Sequence, residues 1–209
     1  MFTRGSSIDL GLNRAVESLL RSGGSEGILP IVQVGEPVLR QPTRRYNGQL
    51  SKSTLTKLVE TMRTTMVEAP GVGLAAPQIG LGLALAVVED HISDDLDDPR
   101  EISEFPFHAI INPSYQPIGT ETRSFYEGCL SFEGYQAVRK RWRDITARWQ
   151  DMDGTWHELP MADAPSHILS DEYANRSGDQ GFTGCFAALC CQDQTGEDWP
   201  ADFRYLTLT

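Results

Sequence analysis

Residues 71–80 read GVGLAAPQIG. Gly71, Gly73, Ala75 and Ala76 carry little or no side chain, so the backbone here can approach another part of the molecule closely. Gln78 adds an amide that both donates and accepts hydrogen bonds. A tight turn packed on a helix would account for this composition, and so would a loop that meets a ligand. A phosphate loop is excluded, because no Lys-Ser/Thr pair follows the glycines.

The flanks of this block set its context. Before it, Leu50–Val67 places Leu55, Leu58, Met62 and Met66 on one helical face, with Ser51 or Ser53 as the cap. After it, LGLALAVV (Leu81–Val88) suits a buried strand. Further upstream, Leu10–Ser22 forms a short amphipathic helix on Leu12, Val16, Leu19 and Leu20, and SGGSEG breaks it as a flexible joint. ILPIVQVGEPVLRQPT then reads as extended chain with turns at Gly35 and the prolines. Downstream, AIINPSYQPIG reads as a strand with a turn. YQAVRKRWRDITARWQDMDGTWHEL suggests a hairpin about Asp153–Gly154. APSHILSDEYANRSG returns to helical character. This order predicts an α+β domain, with mostly antiparallel sheets wrapped around a central helix. Three parts are expected: a helical extension over 1–27, a catalytic domain over 28–178 and an irregular tail over 179–209.

Bulk composition narrows the class. The 209 residues are 40% hydrophobic and 22% charged, with a net charge of −11. No run reaches the roughly 18–20 apolar residues of a membrane span, so no membrane association is expected. Such an acidic chain is repelled by phosphate backbones, and direct nucleic-acid binding is not expected. The acids of EDHISDDLDDPREISE (Glu89–Glu104) read as a solvated loop, since their spacing does not fit an EF-hand. The N-terminus has no apolar signal core, so a cytoplasmic location is expected, with an organelle as the alternative. The four cysteines lack a framework spacing and read as free thiols.

Two further blocks carry chemistry. In EGCLS (Glu127–Ser131), the thiolate of Cys129 could bind a metal or act as a nucleophile, although a lone cysteine is often a small buried hydrophobe. SHILSDEYANRSG sets Glu172 within a helix. HELPM (His157–Met161) imitates half of a zinc motif, but Pro160 breaks any helix there and His157 reads as an exposed strand histidine.

In this order and approximate spacing, the three blocks resemble those of the peptide deformylases, as do VGEPVLRQPT, INPSY and EGYQAV. The resemblance spans about Ile28 to Gly178. The family's third block is a helix with His-Glu-x-x-His. Here Glu172 falls on its glutamate and Gly178 on its terminal glycine. Asp171 and Asn175 then stand on the two ligand histidines, and Ala174 on the acid before the second. Histidines four apart share a helix face and bind a metal such as zinc at ~2.0–2.1 Å. Asp171 has a shorter arm, and Asn175 offers only a neutral amide oxygen, a poor transition-metal ligand. His167 shares a face with Asp171, so Cys129, His167 and Asp171 form an alternative donor set, displaced from Glu172.

The resemblance implies removal of the N-formyl group from the N-terminal methionine of nascent polypeptides. It implies a divalent metal, Fe2+ or Zn2+, at Cys129, Asp171 and Asn175, bound weakly because of the two replacements. Glu172 would move the proton, while Gln78 and the Leu130 N–H stabilise the oxyanion. Gly71, Val72, Gly73, Phe125, Glu127, Gly128 and His167 would contact N-formylmethionyl peptides. A monomer is expected, and ribosome association is implied, although no basic docking helix is visible. The alternative is an inactive homologue that binds such peptides, or a degraded gene product.

Overall fold

The structure, a computed structural model, describes residues 7–90, 105–133 and 136–162, with the backbone alone at 125–127, 136–139 and 162. Its elements are α1 (Leu10–Ser22), α2 (Lys52–Glu68), β1 (Gly73–Ala75), β2 (Leu85–Asp90), β3 (Phe105–Pro117), β4 (Thr122–Gly128), β5 (Gln136–Trp142), β6 (Asp144–Gln150) and β7 (Trp156–Ala162). Short 3-10 turns occupy Pro37–Arg40 and Ala76–Ile79. The sequence expectation for residues 164–178 lies outside the described residues.

Both helices start where their sequences supply a cap. Asp9 accepts from the Leu12 N–H at 2.9 Å, and Ser51 accepts from the Thr54 N–H at 3.1 Å. Leu55, Leu58, Met62 and Met66 of α2 are buried, as their spacing predicts. Val16 and Leu20 of α1 join the same core, together with Leu74, Leu85 and Val87. Burying a side chain of this size is worth ~1.5–3 kcal/mol. Polar contacts also fix α1: Asn13 Oδ1 accepts from the Ser51 N–H at 2.9 Å.

The strands form two antiparallel sheets, one in the order β1-β2-β3-β6-β7 and the other pairing β4 with β5. The helices and sheets bear out the α+β reading. The apolar run 81–88 continues into β2, which is buried along its whole length. Glu89 and Asp90 therefore belong to this strand and are buried, not part of a solvated loop. Arg63 on α2 meets Glu89 with Nε at 2.7 Å from Oε2, and lies 4.6 Å from the Phe107 ring centre. An arginine fork matches a carboxylate well, so the pair ties α2 to the sheet.

The segment 136–150 holds two strands that belong to different sheets. They separate at Arg143, whose backbone N–H and Nη1 both bond to Glu121, at 2.9 and 2.7 Å. The predicted hairpin about Asp153–Gly154 joins β6 to β7, and Gly154 takes φ 80°. His157 lies on β7, stacked on Trp149 and 2.8 Å from Asp151 Oδ2. It is a partly exposed strand histidine, as its surrounding sequence predicts.

Asn112 organises the centre of β3. Its φ of 51° is left-handed, and the β3–β6 register shifts between Ile111 and Ser114. Its side chain exchanges both bonds with the Tyr46 backbone, at 2.8 and 2.7 Å, and donates to Gln150 Oε1 at 2.7 Å. One buried amide thereby joins the segment before α2, the bulge in β3 and the end of β6.

Candidate active site

The glycine-rich block and EGCLS meet at one end of the sheets. From Gly73 the chain runs along β1, then turns through Ala76–Ile79 and leaves at Gly80, where φ is 84°. Gln78 sits on that turn and reaches back, accepting from the Ala75 N–H through Oε1 at 2.8 Å. This is half of a capping box: a glutamine in the third position of a helical turn satisfies the N–H at its start. Its Nε2 then faces Ser131 Oγ at 3.3 Å and Cys129 Sγ at 3.9 Å. Gln78 is only 5% exposed and Ser131 is fully buried.

Cys129 follows the end of β4 and starts a tight turn in which its carbonyl accepts from the Phe132 N–H at 2.9 Å. Its side chain forms no disulfide among the described residues and is half-buried beside Leu39 and Phe132. The Cys129 C=O and the Leu130 N–H belong to one peptide plane, so pinning the first aims the second.

Gln33 holds the outside of the turn, with Nε2 donating to the Leu130 carbonyl at 3.0 Å. The same strap of chain bridges the two blocks. The Val32 N–H donates to the Gln78 carbonyl at 2.8 Å, and the Val34 N–H to the Ser131 carbonyl at 2.9 Å. A Cβ on Gly71 would lie 2.7 Å from Leu130 Cδ1, so glycine lets the Leu130 side chain lie against this backbone, and a larger residue would have to move its end.

The structure thus brings Gly71, Gln78, Cys129 and Leu130 together. Val72 and Gly73 lie at the edge strand of the larger sheet, with Val72 exposed. Phe125, Glu127 and Gly128 lie on β4. His167, Asp171, Glu172 and Asn175 lie outside the described residues. Sequence reasoning missed Ser131 and Gln33. Ser131 stands two residues after the cysteine, a spacing that could have flagged it. Gln33 meets its partners across about a hundred residues of chain and left no local signal.

The donor set can be weighed for a metal. Among the described residues, no three His, Cys, Asp or Glu side chains gather around a common point. Cys129 contributes one thiol, and the positions expected to complete its site hold a carboxylate and a neutral amide. That set does not fit tight binding of a thiolate- and imidazole-seeking metal.

Comparison with known proteins supplies the lineage. The family model for polypeptide deformylase matches residues 28–179. Peptide deformylase 1 of Bifidobacterium longum is 66% identical over 179 residues, covering 86% of this chain and 82% of that protein. A peptide deformylase of Bifidobacterium adolescentis is 69% identical over 180 residues, covering 86% of this chain and 83% of that protein. Among solved structures, a Met-Ala-Ser-bound class I type b peptide deformylase from Acinetobacter baumannii superposes with a TM-score of 0.63. It is 24% identical and covers 74% of this chain and 96% of that one, a likeness of fold.

Proposed function

This chain belongs to the polypeptide deformylase family, and from that premise we propose that it removes the formyl group from N-formylmethionyl peptides, at a rate held down by its metal donors. The single observation that carries this reading is the orientation of Gln78, whose amide oxygen is taken by the Ala75 N–H while its N–H faces the Cys129 side of the cleft. A formyl oxygen seated there would meet two fixed donors, Gln78 Nε2 and the Leu130 N–H. Removing one such donor costs on the order of 10²–10³ in rate.

The rest of the reaction follows from the sequence assignments. Glu172 takes a proton from the attacking water and passes it to the leaving amine. β1 ends the order of its sheet, so an extended peptide can lie beside Gly73, with its methionine side chain near the exposed Val72. The family is one of metalloenzymes, but Asp171 and Asn175 do not fit the metal such an enzyme holds. The protein is proposed to act as a monomer in the cytoplasm.

Formate release from formyl-Met-Ala-Ser tests this, under anaerobic conditions with excess ferrous iron. The unaltered chain should release formate slowly, and Gln78→Leu should lower the rate by on the order of 10²-fold with the fold intact. Equal rates for the two proteins would contradict the role of Gln78. A protein that binds formylated peptides without releasing formate would be a binding homologue instead.

Gly71→Ala gives a milder outcome. The added methyl must push the flexible end of Leu130, so turnover should fall about tenfold through displacement of the adjacent N–H. The melting temperature should barely move. The ratio of kcat to melting temperature across Gly71→Ala and Gly71→Ser separates displacement from unfolding.

A further inference from the structure

We infer that Ser131 is a positioning residue, which holds the Gln78 amide in the plane that presents its N–H to a bound formyl oxygen. The inference rests on the proposed deformylase reading for its substrate, and on geometry alone for the contact. The last torsion of a glutamine side chain joins a tetrahedral to a trigonal carbon, and it has a broad, nearly two-fold profile. By itself, therefore, Gln78 would choose neither which end of its amide faces the cleft nor the tilt of the amide plane.

The two choices are made by different partners. The Ala75 backbone can only donate, so the atom 2.8 Å from it must be the amide oxygen. That fixes the end. One bond still leaves the amide free to swing about its oxygen. Ser131 Oγ, 3.3 Å from Nε2 on the opposite edge, supplies the second anchor. Two anchors on opposite edges define a plane, and the second hydrogen of Nε2 points toward Cys129 Sγ at 3.9 Å, a long contact to a weak acceptor that a formyl oxygen would replace.

The surroundings of Ser131 support this role. Its side chain is fully buried, where a hydroxyl is costly unless it is hydrogen-bonded. Its own backbone is held in turn by the Val34 N–H at 2.9 Å. A residue serving only to fill space at this position could be alanine, without the desolvation cost of an oxygen.

Ser131→Ala tests the inference by two readouts on the full chain. The first is the affinity of formyl-Met-Ala-Ser relative to unformylated Met-Ala-Ser, measured by calorimetry at low temperature, with formate assayed to show that the peptide stays intact. Only the formylated peptide offers the carbonyl that Gln78 should meet. The preference for it should fall about fivefold in Ser131→Ala, the equivalent of a single hydrogen bond, with the affinity for the unformylated peptide unchanged. A merely structural role would weaken both peptides alike.

The second readout is the pair of Gln78 side-chain amide proton signals. In Ser131→Ala they should exchange with water faster and draw together in chemical shift. Combining Ser131→Ala with Gln78→Leu should reduce the formyl preference no further than Gln78→Leu alone. An unchanged preference together with unchanged Gln78 signals overturns the inference, as does an additive loss in the double variant. If the unaltered chain shows no formyl preference while the Gln78 signals respond to Ser131→Ala, the contact stands and the substrate assignment falls.

Discussion

Replacing Asp171 with His, Ala174 with Asp and Asn175 with His together raises formate release from formyl-Met-Ala-Ser by on the order of 10²-fold or more. Glu172 and Gly178 fix the register of the block within the family pattern, so the three changes restore its His-Glu-x-x-His form around a glutamate already in place. Loss of supporting groups around a metal ligand alone costs ~10–100-fold in affinity or activity. At the two proposed ligand positions this chain has a carboxylate and an amide in place of imidazole. The comparison is of kcat at saturating ferrous iron for the two proteins. The described half of the site is unchanged by these substitutions, so a gain reports on the donors. No gain, with metal bound, would mean that Gln78 and Leu130 are not aligned with the rest of the cleft.

Asn112→Ala should lower stability by about 3 kcal/mol. The substitution removes three hydrogen bonds at a buried place, two to the Tyr46 backbone and one to Gln150. It also leaves a methyl side chain in the left-handed region, which asparagine tolerates better than alanine, at a cost of ~1 kcal/mol. Because the same amide links three segments, the loss should appear as a fall in the urea midpoint with an unchanged slope. A loss below about 1 kcal/mol would show that the backbone around the bulge holds itself without Asn112.

The legible parts of this fold were those governed by local spacing. The α2 face repeats every three to four residues, β2 is a continuous apolar run, and the β6–β7 turn is marked by Asp153–Gly154. Ser51 was one of two candidate caps, and the structure chooses it. What stayed hidden depends on partners far along the chain. Glu89 looked like part of a solvated acidic run because nothing near it announces Arg63, 26 residues earlier. The strands of 136–150 looked like one continuous stretch because the break at Arg143 is set by Glu121.

The site divides in the same way. The family resemblance marked Gln78, Cys129 and Leu130, and the structure places them side by side. It gave no role to Ser131, although EGCLS contains it, and it did not reach Gln33; both contacts arise where the 32–34 strap and the Gln78 turn pack against the 129–131 turn. INPSY belongs to the resemblance, yet nothing in those five residues announces the left-handed backbone of Asn112 or its hold on Tyr46, 66 residues earlier.

The most direct test of the central claim, that a sound cleft is limited by its metal donors, is the number of metal ions retained per chain. Each protein would be loaded anaerobically with ferrous iron or with zinc, desalted and analysed for metal. The unaltered chain should retain far less than one ion, and the variant with Asp171→His, Ala174→Asp and Asn175→His close to one. One tightly held ion per unaltered chain would contradict the account and show that Cys129 gathers a complete site from donors other than those assigned.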